Sequence, residues 1–170
     1  MTTQACLNGF EWTEKIIKLI YNDNSQTDTG VDIPANCLID PFTIAVYVQT
    51  ADSGETLNVG MGNGTESGYD ADGLLVGVSI ASTGWVVPAF TVTAGSQQNY
   101  VSARTLGAFF YQGDDGSDLE DDGAAPIIMP KLTDGTCTSI DYTCSAGSDT
   151  FVGILYIRWF QLPDLTNFLT

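Results

Sequence analysis

The sequence predicts an all-β protein: an antiparallel β-sandwich, jelly-roll-like, with long acidic loops, in one domain spanning residues 1–170. Three observations lead there. Apolar and polar residues alternate with period two in the best-patterned stretches, as in Phe42 to Gln49, where Phe42, Ile44, Val46 and Val48 share one side. Clusters of Gly, Asp, Asn and Ser separate short runs of β-branched and aromatic residues, which gives about eight to ten strands. No segment carries the 3.6-residue period over more than about two helical turns.

Taken in order, residues 1–30 hold an N-terminal arm or first strand. Lys15 to Tyr21 (KIIKLIY) reads as a strand because of its β-branched content and the Asn22-Asp23-Asn24-Ser25 turn after it. Asn22 to Gly30 is expected to be a surface loop, and Ile33-Pro34-Ala35-Asn36 a turn. The most informative stretch follows, Ile33 to Ala81. Its strands Phe42–Gln49 and Glu55–Met61 flank Ala51-Asp52-Ser53-Gly54, and this pattern predicts an antiparallel hairpin. Gly62 to Gly73 is a long Gly- and acid-rich loop, and Leu74 to Ile80 an apolar return strand.

Trp85-Val86-Val87 stops at Pro88, which marks an edge strand. Phe90–Thr93, Leu106–Tyr111 and Ile127–Leu132 are further strands, with turns at Ala94–Asn99 and after Leu132. Ser139–Thr143 reads as one strand of a hairpin with Ser145–Ser148 as its connection. Thr150 to Phe160 (TFVGILYIRWF) is apolar on both sides and is expected to be a central strand covered on both faces. Residues 161–170 form a tail with Leu162, Leu165 and Phe168 available to pack on the body or on a second subunit.

Composition bounds the function. The chain has 44% hydrophobic residues and a mean hydropathy of +0.08, enough for a real core. It carries 21 acids against 5 bases, a net charge of −16. Nucleic acid is therefore not expected as a partner, because phosphate contacts need a stripe of Lys and Arg. An anionic membrane surface is disfavoured for the same reason. The N-terminal residues Met1 to Cys6 lack the basic and apolar regions of a secretory signal, and Met1 is read as the translation start.

There is no histidine, which excludes Ser-His-Asp and Cys-His nucleophilic sites and every histidine metal site. Neither a GxSxG elbow nor a GxxxxGK[ST] phosphate loop occurs. A glycosidase needs only two carboxylates, but among 21 acids such a pair arises by chance. The expectation is a non-enzymatic protein with no catalytic residues, no cofactor and no metal. Two acidic clusters are candidates for calcium: Asp114, Asp115, Asp118, Glu120, Asp121 and Asp122 within Gly113–Gly123, and Asn63, Glu66, Asp70 and Asp72. Neither has the spacing of an EF-hand loop, and solvated loops are the favoured reading. Asn63-Gly64-Thr65 fits a glycosylation sequon, a pattern common by chance. Of the cysteines, Cys6 and Cys37 are isolated, and Cys137 and Cys144 are spaced to face each other across a hairpin, with buried free thiols the favoured state.

The stretch IPANCLIDPFTIAVYVQTADSGETLNVGMGNGTESGYDADGLLVGVSI resembles one met in small virion proteins of tailed bacteriophages, where a strand like Pro34–Val48 precedes an "LNVG" strand, a Gly/Asp loop and a short apolar return. The closing TFVGILYIRWF is similar, more loosely, to their last strand. Residues 85–144 have no counterpart in the resemblance. It implies a capsid decoration (cement) protein: a β-sandwich, often a homotrimer, that binds the major capsid protein from outside and is assembled in the host cytoplasm for the virion surface. The alternative is a tail- or fibre-associated module that binds a host glycan. A carbohydrate-active enzyme or secreted binding domain is a third. Exposed aromatics aligned on one sandwich face would favour glycan, and apolar patches at an interface between copies would favour the lattice.

Overall fold

The computed structural model describes residues 12–62, 69–87, 90–93, 100–103, 106, 111–112, 127–128, 131–133, 135, 138–145 and 150–162; of 90–93, 100–103, 111–112, 127–128 and 131 it describes the backbone alone. In chain order the strands are β1 (Trp12–Ile20), β2 (Thr27–Asp32), β3 (Cys37–Ile39), β4 (Ala45–Thr50), β5 (Thr56–Met61), β6 (Asp70–Ser79), β7 (Gly84–Val86), β8 (Phe90–Thr93), β9 (Tyr100–Ala103), β10 (Tyr111–Gln112), β11 (Ile127–Ile128), β12 (Lys131–Leu132), β13 (Ser139–Cys144) and β14 (Val152–Gln161).

Two antiparallel sheets pack face to face. Sheet A runs β12-β3-β14-β4-β7, with β1 along the other side of β14; sheet B runs β2-β13-β5-β6. Small two-stranded pairings, β8 with β9 and β10 with β11, accompany them, and an isolated bridge joins Leu75 to Leu106. The antiparallel sandwich is the expected architecture; its jelly-roll form is not carried by this strand order. Between the sheets lie Ile17 and Leu19 of β1, Val46 and Val48 of β4, and Leu155 and Ile157 of β14, facing Leu57 and Val59 of β5, Val78 of β6 and Ile140 of β13. All belong to one contiguous buried cluster, and dry burial of this kind is the main favourable contribution to the fold.

β14 organises sheet A. β1 pairs with it from Trp12↔Phe160 to Ile20↔Val152, while β4 and β3 share its other side in tandem. The break between β3 and β4 is a 3-10 turn, Pro41–Thr43. Asp40 caps it by accepting a hydrogen bond from the Phe42 amide, and Pro41 supplies the fixed φ of the first position. This turn overrides the period-two pattern at its first residue. Phe42, expected in the core, is 62% exposed, and the strand begins at Ala45. The other expected core positions, Ile44, Val46, Val48, Leu57, Val59, Leu155 and Ile157, are buried.

The expected hairpin between Phe42–Gln49 and Glu55–Met61 is not one. β4 pairs with β14 and β7 in sheet A, and β5 pairs with β13 and β6 in sheet B. Residues 51–55 therefore cross from one sheet to the other, and the inward side chains of β4 and β5 face each other across the core. Alternation reports which side of each strand is buried; it does not report whether the next strand hydrogen-bonds beside it or stacks opposite it. The crossing is closed by Asp52 N–H to Ile80 O at 2.9 Å and Ile80 N–H to Glu55 O at 3.1 Å. The hairpin with β5 as its first strand is β5–β6. At its bulge a Cβ on Gly60 would lie 2.1 Å from the Asp70 carbonyl oxygen, so only glycine fits.

Other departures have similar causes. The expected loop 22–30 contains the start of β2, whose polar residues pair with β13 through a bulge around Thr29–Val31. The expected hairpin after Ser139–Thr143 is also a crossing, since β13 lies in sheet B and β14 in sheet A; residues 146–149 of the connection lie outside the described residues. Ile127–Leu132 divides into β11 and β12, which pair with β10 and β3. Trp85 stands on an edge strand, β7, as expected. β14 is central in sheet A, but its two faces differ: Gly153, Leu155, Ile157 and Trp159 are buried, while Val152, Ile154, Tyr156, Arg158 and Phe160 are half-buried on the outside.

Candidate interaction face

The outward side of sheet A is built by cross-strand rows. β1 contributes its even-numbered residues, and the register sets Trp12 against Phe160, Glu14 against Arg158, Ile16 against Tyr156 and Lys18 against Ile154. One row continues through Ile154↔Tyr47 and Tyr47↔Trp85 to the β7 edge. Another continues from Phe160 to Leu38 and on to Leu132. Strand pairing alone thus assembles an apolar surface from residues spread over the whole chain.

Its exposure is high for such side chains: Ile16 is 74% accessible and Trp85 63%. Ile16, Tyr47, Trp85, Ile154 and Tyr156 line a shallow groove of about 340 Å³. The Tyr47 and Trp85 rings meet at 5.2 Å between centroids with a 57° tilt, and Trp12 and Phe160 at 5.5 Å and 54°. Arg158 sits beside the Trp12–Phe160 pair. Its guanidinium carbon sits 4.3 Å from the centre of the Trp12 ring, and its Nη2 lies 3.3 Å from Asp40 Oδ2. Burial first, and then a hydrogen bond to Glu14, hold the Tyr156 phenol above its ordinary pKa.

Sheet B has the opposite character. Its strands carry Asp28 and Asp32 on β2, Asp70 and Asp72 on β6, and Asp141 on β13, with no base among them. On the strands of sheet A the acid is Glu14, while Lys15, Lys18, Lys131 and Arg158, four of the chain's five bases, stand there. The Asp72 carboxyl is held above its usual value, first by a hydrogen bond with Asp70, then by burial and by the Asp70 charge. Gln26 bridges this region, donating to Asp141 and accepting from the Tyr69 hydroxyl at 3.0 Å.

Of the calcium candidates, Asp70 and Asp72 lie on β6 rather than in a loop; Asn63, Glu66, the sequon and all of Asp114–Asp122 lie outside the described residues. Among the described residues no group of three or more His, Cys, Asp or Glu is arranged to hold a metal ion. Cys37 and Cys144 are buried free thiols; Cys6 and Cys137 lie outside the described residues. Burial pushes the Cys144 thiol up to about 11 and raises Cys37 as well. Among the described residues no helix is long and apolar enough to cross a membrane.

The outward face of sheet A escaped the sequence reading. Its signal was present in TFVGILYIRWF, where apolar residues occupy both phases of the strand, but that pattern fits a doubly covered strand equally well. The even-numbered residues of β1 gain meaning only once their register on β14 is known.

No family model and no curated protein matches this chain. Among solved structures, a chain titled "Cyanophage Pam1 capsid asymmetric unit" is similar at a TM-score of 0.43 and 10% identity, over 91% of this chain and 88% of that one. A likeness at this level is too weak to carry an argument.

Proposed function

We propose that this chain is a non-enzymatic structural protein of a tailed-phage virion, a decoration protein that binds the major capsid protein from outside and stabilises the shell as a homo-oligomer. The observation that carries this reading is the two-faced sandwich, with acids alone on the strands of sheet B and an apolar, base-bearing surface on sheet A. A lattice component needs a stable core and separate surfaces for different neighbours, and this division supplies two chemically distinct ones. The sequence resemblance of Ile33–Ala81 to small virion proteins points the same way.

On this reading the acidic side meets basic patches of the shell. Attachment is then electrostatically steered and weakens as salt rises past ~0.15 M, where the screening length falls below about 8 Å. Small contacts repeated over a symmetric shell reinforce one another. The test is co-sedimentation of the purified chain with shells that lack it, followed by heating. Saturable binding with improved particle survival supports the reading. Absence of binding to shells, with retention on a host glycan, replaces it with the receptor-binding alternative.

A further inference from the structure

We infer that the outward face of sheet A is the self-association surface, covered in solution by a second copy of this chain. Exposed apolar patches beyond a few hundred Å² mark interaction sites rather than ordinary surface. Here β1, β14, β4 and β7 lie side by side. At about 4.8 Å between strands and about 3.3 Å per residue, they offer a projected footprint of roughly 440 Å².

Charge selects the occupant. Two copies of a chain at −16 repel wherever their acids face each other. Sheet B, with Asp28 and Asp32 exposed and Asp70 and Asp72 half-buried, presents that problem; the outward face of sheet A, with Lys18 and Arg158 beside Glu14 and Arg158 paired with Asp40, does not. A strongly basic foreign partner would be drawn to the acids instead. The groove's chemistry also disfavours sugar. A glycan needs hydrogen bonds for its many hydroxyls, and the polar side-chain atoms lining the groove are the Tyr47 and Tyr156 hydroxyls and the Trp85 indole N–H. The tilted Tyr47–Trp85 pair is no flat stacking platform.

The experiment is sedimentation of the purified full chain over a concentration series, with no shell present, so that its outcome is independent of shell binding. Ile16→Asp and Trp85→Asp place a charge at the most exposed apolar positions, where folding is least affected, and Asp32→Asn serves as a control on the other face. The wild type and the control are expected at two or three times 18.1 kDa. Both charge variants are expected to associate roughly 30-fold more weakly or worse, the effect of losing a central anchor, with unchanged circular dichroism and melting temperature. A wild type that stays monomeric overturns the inference. So does association of the two variants at wild-type strength. A monomer whose retention on a host glycan is lost in Trp85→Asp transfers the face to the sugar.

Discussion

At the scale of single residues, burial separates positions that the period-two pattern makes equal. Val46 and Phe42 share a phase, yet Val46 is fully buried and Phe42 stands on the Pro41–Thr43 turn in solvent. Leu155→Ala is expected to cost about 2–5 kcal/mol through lost burial and the cavity left behind, while Phe42→Ala changes stability by about 0.5 kcal/mol or less. Chemical denaturation of the two variants checks the contrast. The thiols give a second expectation. Cys144 titrates near 9.0 when unfolded and at about 11 when folded, chiefly through burial. Between those values the unfolded chain has released a proton that the native one keeps. Stability is therefore full below pH 9 and falls as pH rises from 9 toward 11. Cys37 and Tyr142, both raised mainly by burial, act in the same direction. Denaturation midpoints that stay flat from pH 7 to about 8.5 and then decline are the predicted profile.

At the scale of elements, the pattern of each strand was legible and its partner was not. Buried phases in β4, β5 and β14 follow from alternation within about ten residues. Whether residues 51–55 turn back beside β4 or cross to the other sheet depends on β14 and β13, about a hundred residues away, and local sequence holds no record of that. The apolar residues on both sides of β14 posed the same ambiguity, resolved only by what packs on each face. Asp52 holds the crossing in place: it is fully buried, and its Oδ2 accepts a hydrogen bond from Thr150 N at 3.3 Å, tying the β4–β5 crossing to the entry of β14. Asp52→Ala removes this hydrogen bond, empties a fully buried site at the crossing and should cost about 1–3 kcal/mol. Gly60→Ala forces β5 and β6 apart at the Asp70 carbonyl and should cost about 1–3 kcal/mol as well. A melting temperature unchanged in either variant would contradict the packing described for that crossing or bulge.

At the scale of the whole molecule, net charge alone suggests a uniformly acidic particle. Among the described strands the charge is unevenly placed: Lys15, Lys18, Lys131 and Arg158 stand on sheet A, and the strands of sheet B carry acids alone. That polarity underlies the proposal of a decoration protein whose acidic side meets the shell while its apolar side meets its own copies. Electron microscopy of shells lacking this chain, imaged before and after saturation with it, tests that claim most directly. The account predicts added density at symmetry-related sites on the outer surface, with the strands of sheet B toward the shell and the outward face of sheet A between copies. Shells that show no added density at saturating concentration and low salt would contradict it.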